Sequence, residues 1–375
     1  MSSANRPTAL AILLAFGLLA AACGSDDTDA AGPLREEAIA AQVASYDLVA
    51  GRTGRFIVGL FGSDRTQTVA FGTVTFRFAY LDDTGRVDTT DSGQPVEATF
   101  LPIPGQDIDL EQPGPRLVGA AEATGVYNTP DVTFDRPGFW EVTVTATLDG
   151  NDETTTAAFE VLADSAIPTV GDPAPRTSQP LVDSTDTDAK SIDSRASADR
   201  PIPDPELHDI TVADALDAGH PLIVVVSTPT FCASRFCGPI TDSVHALARR
   251  FADSDMAFIH LEVWRDFEAD LVNPAAREWI APTPDSDGAE PWVFIVAADG
   301  IITHRFDNVA SDADLLAATE QTLAPRPTRR IRTPQPASVC RSRGGAAGPS
   351  WSRPRFLWGR RWPVPGSPGY RSRGL

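Results

Sequence analysis

Residues Leu222 to Phe251 read L-I-V-V-V-S-T-P-T-F-C-A-S-R-F-C-G-P-I-T-D-S-V-H-A-L-A-R-R-F. Leu222 to Val226 is an apolar, β-branched run of the length of a buried strand. Thr228-Pro229 stops it. Cys232 and Cys237 follow with four residues between them, and Gly238-Pro239 leads into a helical pattern. Ile240, Val244, Leu247, Ala248 and Phe251 fall at i, i+4, i+7, i+8 and i+11, one face of a helix. Pro239 sits in the first turn, where its missing N–H would be unpaired in any case. The stretch predicts strand, cysteine loop and helix, with Cys237 at the helix mouth.

That position has chemical consequences. The free N–H groups and dipole of a helix N-terminus favour a thiolate over a thiol, and Arg235 adds to the effect. A loop this short brings the two α-carbons within disulfide range, roughly 4.4–6.8 Å. A poised thiolate beside a partner thiol is the minimum equipment for thiol–disulfide exchange.

Around this stretch, residues 205–325 read as one α/β domain. Thr211–Ala218 is a short helix, Ala257–Val263 a second buried strand and Asn273–Ile280 another short helix. Pro291–Ala297 and Ile301–Phe306 flank Asp299-Gly300, a hairpin signal. Asp312–Leu323 is an amphipathic closing helix capped by Ser311. The order β-α-β-α-β-β-α gives a mixed sheet with helices on both faces.

Strand, then C-G-P opening a helix, then a later X-Pro entering a hairpin: this resembles the thioredoxin fold over about 120 residues. The resemblance implies that Pro291 is a cis-proline facing Cys232 and Cys237. It also implies that Cys237 is the low-pKa thiol by its match to C-G-P, with Cys232 as partner; the reverse assignment stays open. Two departures stand out. The family's C-x-x-C second cysteine is replaced by Ile240, and Glu290 is an unusual residue before the proline.

The remaining chain divides by composition. Residues 1–22 read as an export signal, with Arg6 ahead of the apolar run Ala9–Ala22. Fourteen residues are short of the ~20 that span a bilayer. The run ends in A-A-A-C-G-S, which resembles the lipobox of bacterial lipoproteins and implies lipidation of Cys23, although Ala20 stands where leucine is usual. Residues 23–45 read as a tether, polar at its start and partly helical over 28–45.

Residues 46–162 alternate with period two, as in Val74, Phe76, Phe78, Tyr80 and in Trp140, Val142, Val144, Ala146, Leu148, with turn signals between strands. The expectation is an antiparallel sandwich. The stretch V-T-F-D-R-P-G-F-W-E-V-T-V-T-A (132–146) resembles the closing hairpin of bacterial immunoglobulin-like domains, with Trp140 in the core. Residues 163–204, rich in Asp, Pro, Ser and Thr, read as an extended linker unable to bury a core. Residues 326–375 carry twelve arginines and no acidic residue and read as a disordered basic tail, with Cys340 an incidental thiol.

The fold class expected is thus two-domain, an antiparallel immunoglobulin-like sandwich followed by a thioredoxin-like α/β domain. A net charge of −20 argues against nucleic-acid binding by the bulk of the chain. Four cysteines are too few for a disulfide scaffold, and no phosphate-loop or zinc-cluster motif occurs.

The leading functional expectation is an extracytoplasmic thiol–disulfide oxidoreductase. It is lipid-anchored to the membrane, acts on protein thiols or disulfides and needs no cofactor or metal. The alternatives are a non-catalytic binding or scaffold lipoprotein with a structural disulfide, a peroxiredoxin-like peroxidase, and a copper carrier using both cysteines and His304. His208, His220, His245 and His260 are scattered and read as surface or core residues. Oligomeric state is left open.

Overall fold

The computed structural model describes residues 38–87, 93–197, 199–232, 234–283 and 288–324. The expected signal, Cys23, most of the 23–45 tether and the tail with Cys340 lie outside them.

Period-two alternation builds the larger, β-rich part. Its strands are β1 (Ile39–Val43), β2 (Thr53–Gly62), β3 (Gln67–Ala70), β4 (Thr73–Tyr80), β5 (Val96–Pro102), β6 (Arg116–Gly119), β7 (Gly125–Thr133), β8 (Gly138–Leu148) and β9 (Asn151–Val161). They form one antiparallel sheet in the order β6-β3-β2-β7-β5-β4-β8-β9, with β1 also on β2. β5 turns the corner: Val96 to Thr99 pair with β4, Thr99 to Pro102 with β7. The β4-β8-β9 layer thereby faces the β2-β7 layer. Phe56 of β2 meets Phe76, Phe78 and Phe159 across the core at ring-centroid distances of 4.8–5.9 Å. The sheet then bends round until Leu162, just past β9, hydrogen-bonds to Leu48 and Ala50.

Three expectations change here. The two layers belong to one hydrogen-bonded network, because β5 pairs with both. Residues 132–146 are not a hairpin: β7 pairs with β2 and β5, and β8 with β4 and β9. The hairpin is β8–β9, closed by Asp149 and Gly150, both at positive φ. Ile39–Val43 is a strand, not a helical tether, because Ile39 buries its side chain under β2. Trp140 is 6% exposed and lies in the core as expected.

Residues 163–204 depart furthest from expectation. They contain few large apolar residues, yet they wrap the α/β part as a packed strap. Ile167 and Ala174 enter its core, and Thr177, Ser191 and Asp193 are buried. A 3-10 turn, Ala189–Ser191, is capped by Asp188. Hydrogen bonds also tie the strap down; the buried Trp279 indole N–H donates to Thr177 Oγ1 at 2.9 Å.

The α/β part runs α1 (Val212–Ala218), β10 (Leu222–Ser227), α2 (Cys237–Arg250), β11 (Ala257–Glu262), β12 (Trp264–Asp266), β13 (Leu271–Val272), α3 (Pro274–Ile280), β14 (Trp292–Val296), β15 (Ile302–Asp307) and α4 (Asp312–Leu323). A four-stranded sheet has the order β11-β10-β14-β15, β10 and β11 parallel and the other pairs antiparallel. β10 is buried throughout and packs on both faces. Leu222, Val224 and Val226 point toward α1 and α3, while Ile223 and Val225 point toward α2 and α4.

The two parts touch, and both belong to one contiguous unit ending at Pro325. Ile57, Leu101, Ile103 and Val126 of the β-rich part cluster with Phe236 and Val309. Two ion pairs flank that cluster, Arg305–Asp47 at 2.6 Å and Arg55–Asp307 at 2.9 Å.

Candidate active site

The site grows from the end of β10. Ser227 and Thr228 are buried where the strand stops. The Ser227 hydroxyl meets Thr241 Oγ1 at 2.7 Å, and Thr241 Oγ1 donates to the Cys237 carbonyl at 2.8 Å. These bonds dock the first turn of α2 against the strand. Phe236 supplies the cap position without a side-chain cap, and its ring is held in the cluster against the β-rich part.

Cys232 and Cys237 form a disulfide with α-carbons 6.0 Å apart. The two cysteines differ in exposure. Cys237, the first residue of α2, is 0% exposed, whereas Cys232 on the loop is partly exposed. The Ser234 hydroxyl donates to Cys232 Sγ at 3.2 Å. Arg235 lies on the exposed loop with φ +66°. Pro239 is in the first turn of α2.

Glu290 is the neighbour that the sequence flagged only as unusual. Its peptide bond to Pro291 is cis. Its carboxyl oxygen lies 3.8 Å from Cys237 Sγ. Burial, with the Glu262 carboxylate nearby, raises its pKa to about 8, against a hydrogen bond from the Thr228 backbone. A disulfide sulfur carries no hydrogen, so a hydrogen bond across this contact requires the proton on the carboxyl, the form that the raised pKa favours at neutral pH. The Glu290 carbonyl accepts from the Tyr46 hydroxyl at 2.8 Å, so the β-rich part helps to place this residue. Glu262, at the end of β11, accepts from the Ser194 N–H at 2.8 Å, and burial raises its pKa too.

The surface beside Cys232 is aromatic. Phe231 stacks on Phe267 at 4.1 Å, and Phe267 is 45% exposed. On the other side, Ser234, Arg235 and Phe236 border a cleft of about 420 Å³ whose far wall includes Gln42, Tyr46 and Thr68. His304 lies on β15 hydrogen-bonded to Thr303, and it does not converge with the cysteines. Among the described residues no helix is long and apolar enough to cross a membrane.

No family model and no curated protein matches the chain. One similar solved structure is a thiol:disulfide interchange protein, a thioredoxin family protein from Chlorobium tepidum TLS. It has 16% identity and a TM-score of 0.25, over 31% of this chain and 86% of that one.

Two signals for the site were in the sequence: the cysteine pair before a helix, and an acid preceding a proline that enters a strand. Glu262 and Tyr46 carried none, because each reaches the site from an element distant in sequence.

Proposed function

We propose that this chain is a thiol–disulfide oxidoreductase, its α/β part a thioredoxin-like module and its β-rich part an immunoglobulin-like one. The observation that carries the reading is a disulfide between a partly exposed and a fully buried cysteine, the buried one beside the Glu290 carboxyl. A substrate thiolate attacks Cys232 Sγ, the sulfur within reach. The Cys232–Cys237 bond breaks, and Cys237 leaves as a thiolate that takes the proton of Glu290. A second substrate thiol then attacks the mixed disulfide, expelling Cys232 and leaving the substrate as a disulfide. Two electrons pass from the substrate dithiol to the cysteine pair, and the reverse sequence reduces a substrate disulfide. Cys232 is thus the attacked residue and Cys237 the leaving group, the reverse of the assignment that C-G-P alone implies. Pro239 and Pro291 shape the loop and its floor. Lipidation of Cys23 would hold the protein on the outer face of the membrane.

The reduction potential of the Cys232–Cys237 pair, measured on the full chain in glutathione buffers with thiol labelling and mass spectrometry, tests this. A value of roughly −120 to −270 mV supports exchange. A value below about −300 mV identifies a structural staple and overturns the reading. Cys232→Ser should then abolish exchange with external thiols.

A further inference from the structure

Away from the disulfide, three buried side chains converge with two ring nitrogens left unsatisfied. Asp193 lies on the strap, His208 follows the 3-10 turn Pro205–Leu207, and His260 lies within β11. Asp193 is 0% exposed, and His208 and His260 are each 1% exposed. Asp193 Oδ2 is 3.6 Å from His208 Nε2 and 3.4 Å from His260 Nδ1. All three ligand atoms lie within 4.8 Å of one another. Both ring nitrogens are buried and lack a hydrogen-bond partner.

The spacings are long for charge-assisted hydrogen bonds, which contract to about 2.7–2.9 Å. The two Asp–His spacings match those of atoms that share a central cation. Bonds of about 2.0–2.2 Å to zinc in tetrahedral geometry place neighbouring donors roughly 3.3–3.6 Å apart.

The tautomer of His260 points the same way. Its Nε2 is 3.1 Å from the Ser227 carbonyl oxygen. A carbonyl only accepts, so Nε2 carries the hydrogen and Nδ1 is the ring nitrogen that faces the Asp193 carboxylate. The facing carboxylate calls for positive charge in that buried gap, from a cation or from a proton. A backbone carbonyl on the far ring nitrogen is also the usual device for orienting a metal-bound histidine. Asp193 is held in the same manner: Arg195 Nε donates to Oδ1 at 3.0 Å and Arg195 Nη2 to Oδ2 at 2.7 Å. A carboxylate oxygen has two lone pairs, so Oδ2 keeps one for a cation.

We propose that Asp193, His208 and His260 form a buried site for a divalent cation of the zinc class, which pins the strap to β11. Two imidazoles and one carboxylate suit Zn²⁺ better than calcium or magnesium, which prefer all-oxygen sites, and better than Cu(I), which prefers thiolates. Three protein ligands leave the fourth position of a tetrahedral ion to a water. The closed surroundings make the site structural, and it requires nothing of the cysteine pair.

The full chain, with free thiols alkylated and the disulfide intact, is dialysed against a chelator. It is then titrated with zinc chloride, followed by calorimetry and thermal unfolding, and separately with cobalt chloride, followed by visible absorption. The expected result is one equivalent bound, a raised Tm and the intense bands of four-coordinate Co²⁺. His208→Gln and Asp193→Asn should each weaken binding at least tenfold, while His220→Gln should leave it unchanged. If a variant does not fold, the cobalt spectrum of the unaltered chain decides. No bands and no rise in Tm would overturn the proposal and leave a proton on His260 as the charge in the gap. Binding that survives both site variants would place the metal on surface histidines and overturn it equally.

Discussion

A carboxyl group beside a disulfide sulfur acts according to whether it holds its proton. Glu290, with a pKa raised to about 8, keeps its proton at neutral pH and is ionised above that value. Thiol attack on the disulfide should therefore slow above about pH 8, once the rate is corrected for ionisation of the attacking thiol. Stopped-flow kinetics on wild type and Glu290→Gln check this, and the variant should lose the pH 8 transition. Stability carries the same signature. Between pH 4.5, the group's ordinary value, and about 8, the unfolded chain releases a proton that the folded one retains. Unfolding free energy should fall as pH rises across that window. Denaturant titrations of the oxidised protein should show the slope in wild type and a flatter profile in Glu290→Gln.

At the scale of elements, α2 explains why the chain departs from C-x-x-C. Ile240 is 2% exposed and packs with Val244, Leu247 and Ile223 between helix and sheet. A position facing the core cannot also present a sulfur to solvent, so the partner cysteine has to come from the loop. Ile240→Ala should cost about 2–5 kcal/mol, the range for truncating a buried aliphatic, read by chemical denaturation. Helix ends were legible from the sequence. Thr211, Asn273 and Ser311 each accept a backbone N–H of their helix, as capping chemistry predicts. Ser311→Ala should cost roughly 1 kcal/mol. The short strands β1, β3 and β6 were not legible, because four or five residues carry too little periodicity.

At the scale of the molecule, the strap and the β-rich part belong to the structure of the site. Tyr46 places Glu290, and Phe236, next to Cys237, is packed against Ile57 and Leu101. The interface pair Asp47–Arg305 is nearly closed to water, with side chains 5% and 14% exposed. Asp47→Ala leaves the guanidinium without a counter-ion. It should cost about 3 kcal/mol, the low end for breaking a buried pair, measured by thermal or denaturant unfolding. The strap predicts a second result. A fragment of residues 205–324 loses Thr177, Asp193 and Ile167 and exposes the core they cover, so it should unfold at markedly lower denaturant than residues 163–324. Equal midpoints would show that the strap contributes nothing.

Periodicity, capping residues and the strand–cysteine–helix order determined the element sequence of the α/β part, except for the short β12–β13 pair, and the alternation of the main strands. These are local properties, set by which face of each element must be apolar. Contacts between residues far apart in sequence were decided only by the tertiary structure. The stretch from 163 to 204 has little apolar content, so composition reads it as a linker. It is ordered because its polar groups find partners on α3, β11 and the turn after β10. Glu290 reads as an oddity until burial beside Cys237 raises its pKa, and His208 and His260 read as scattered until the fold brings them to Asp193. A charge or a lone pair acquires its chemistry from what surrounds it, and those surroundings exist only once the chain has folded.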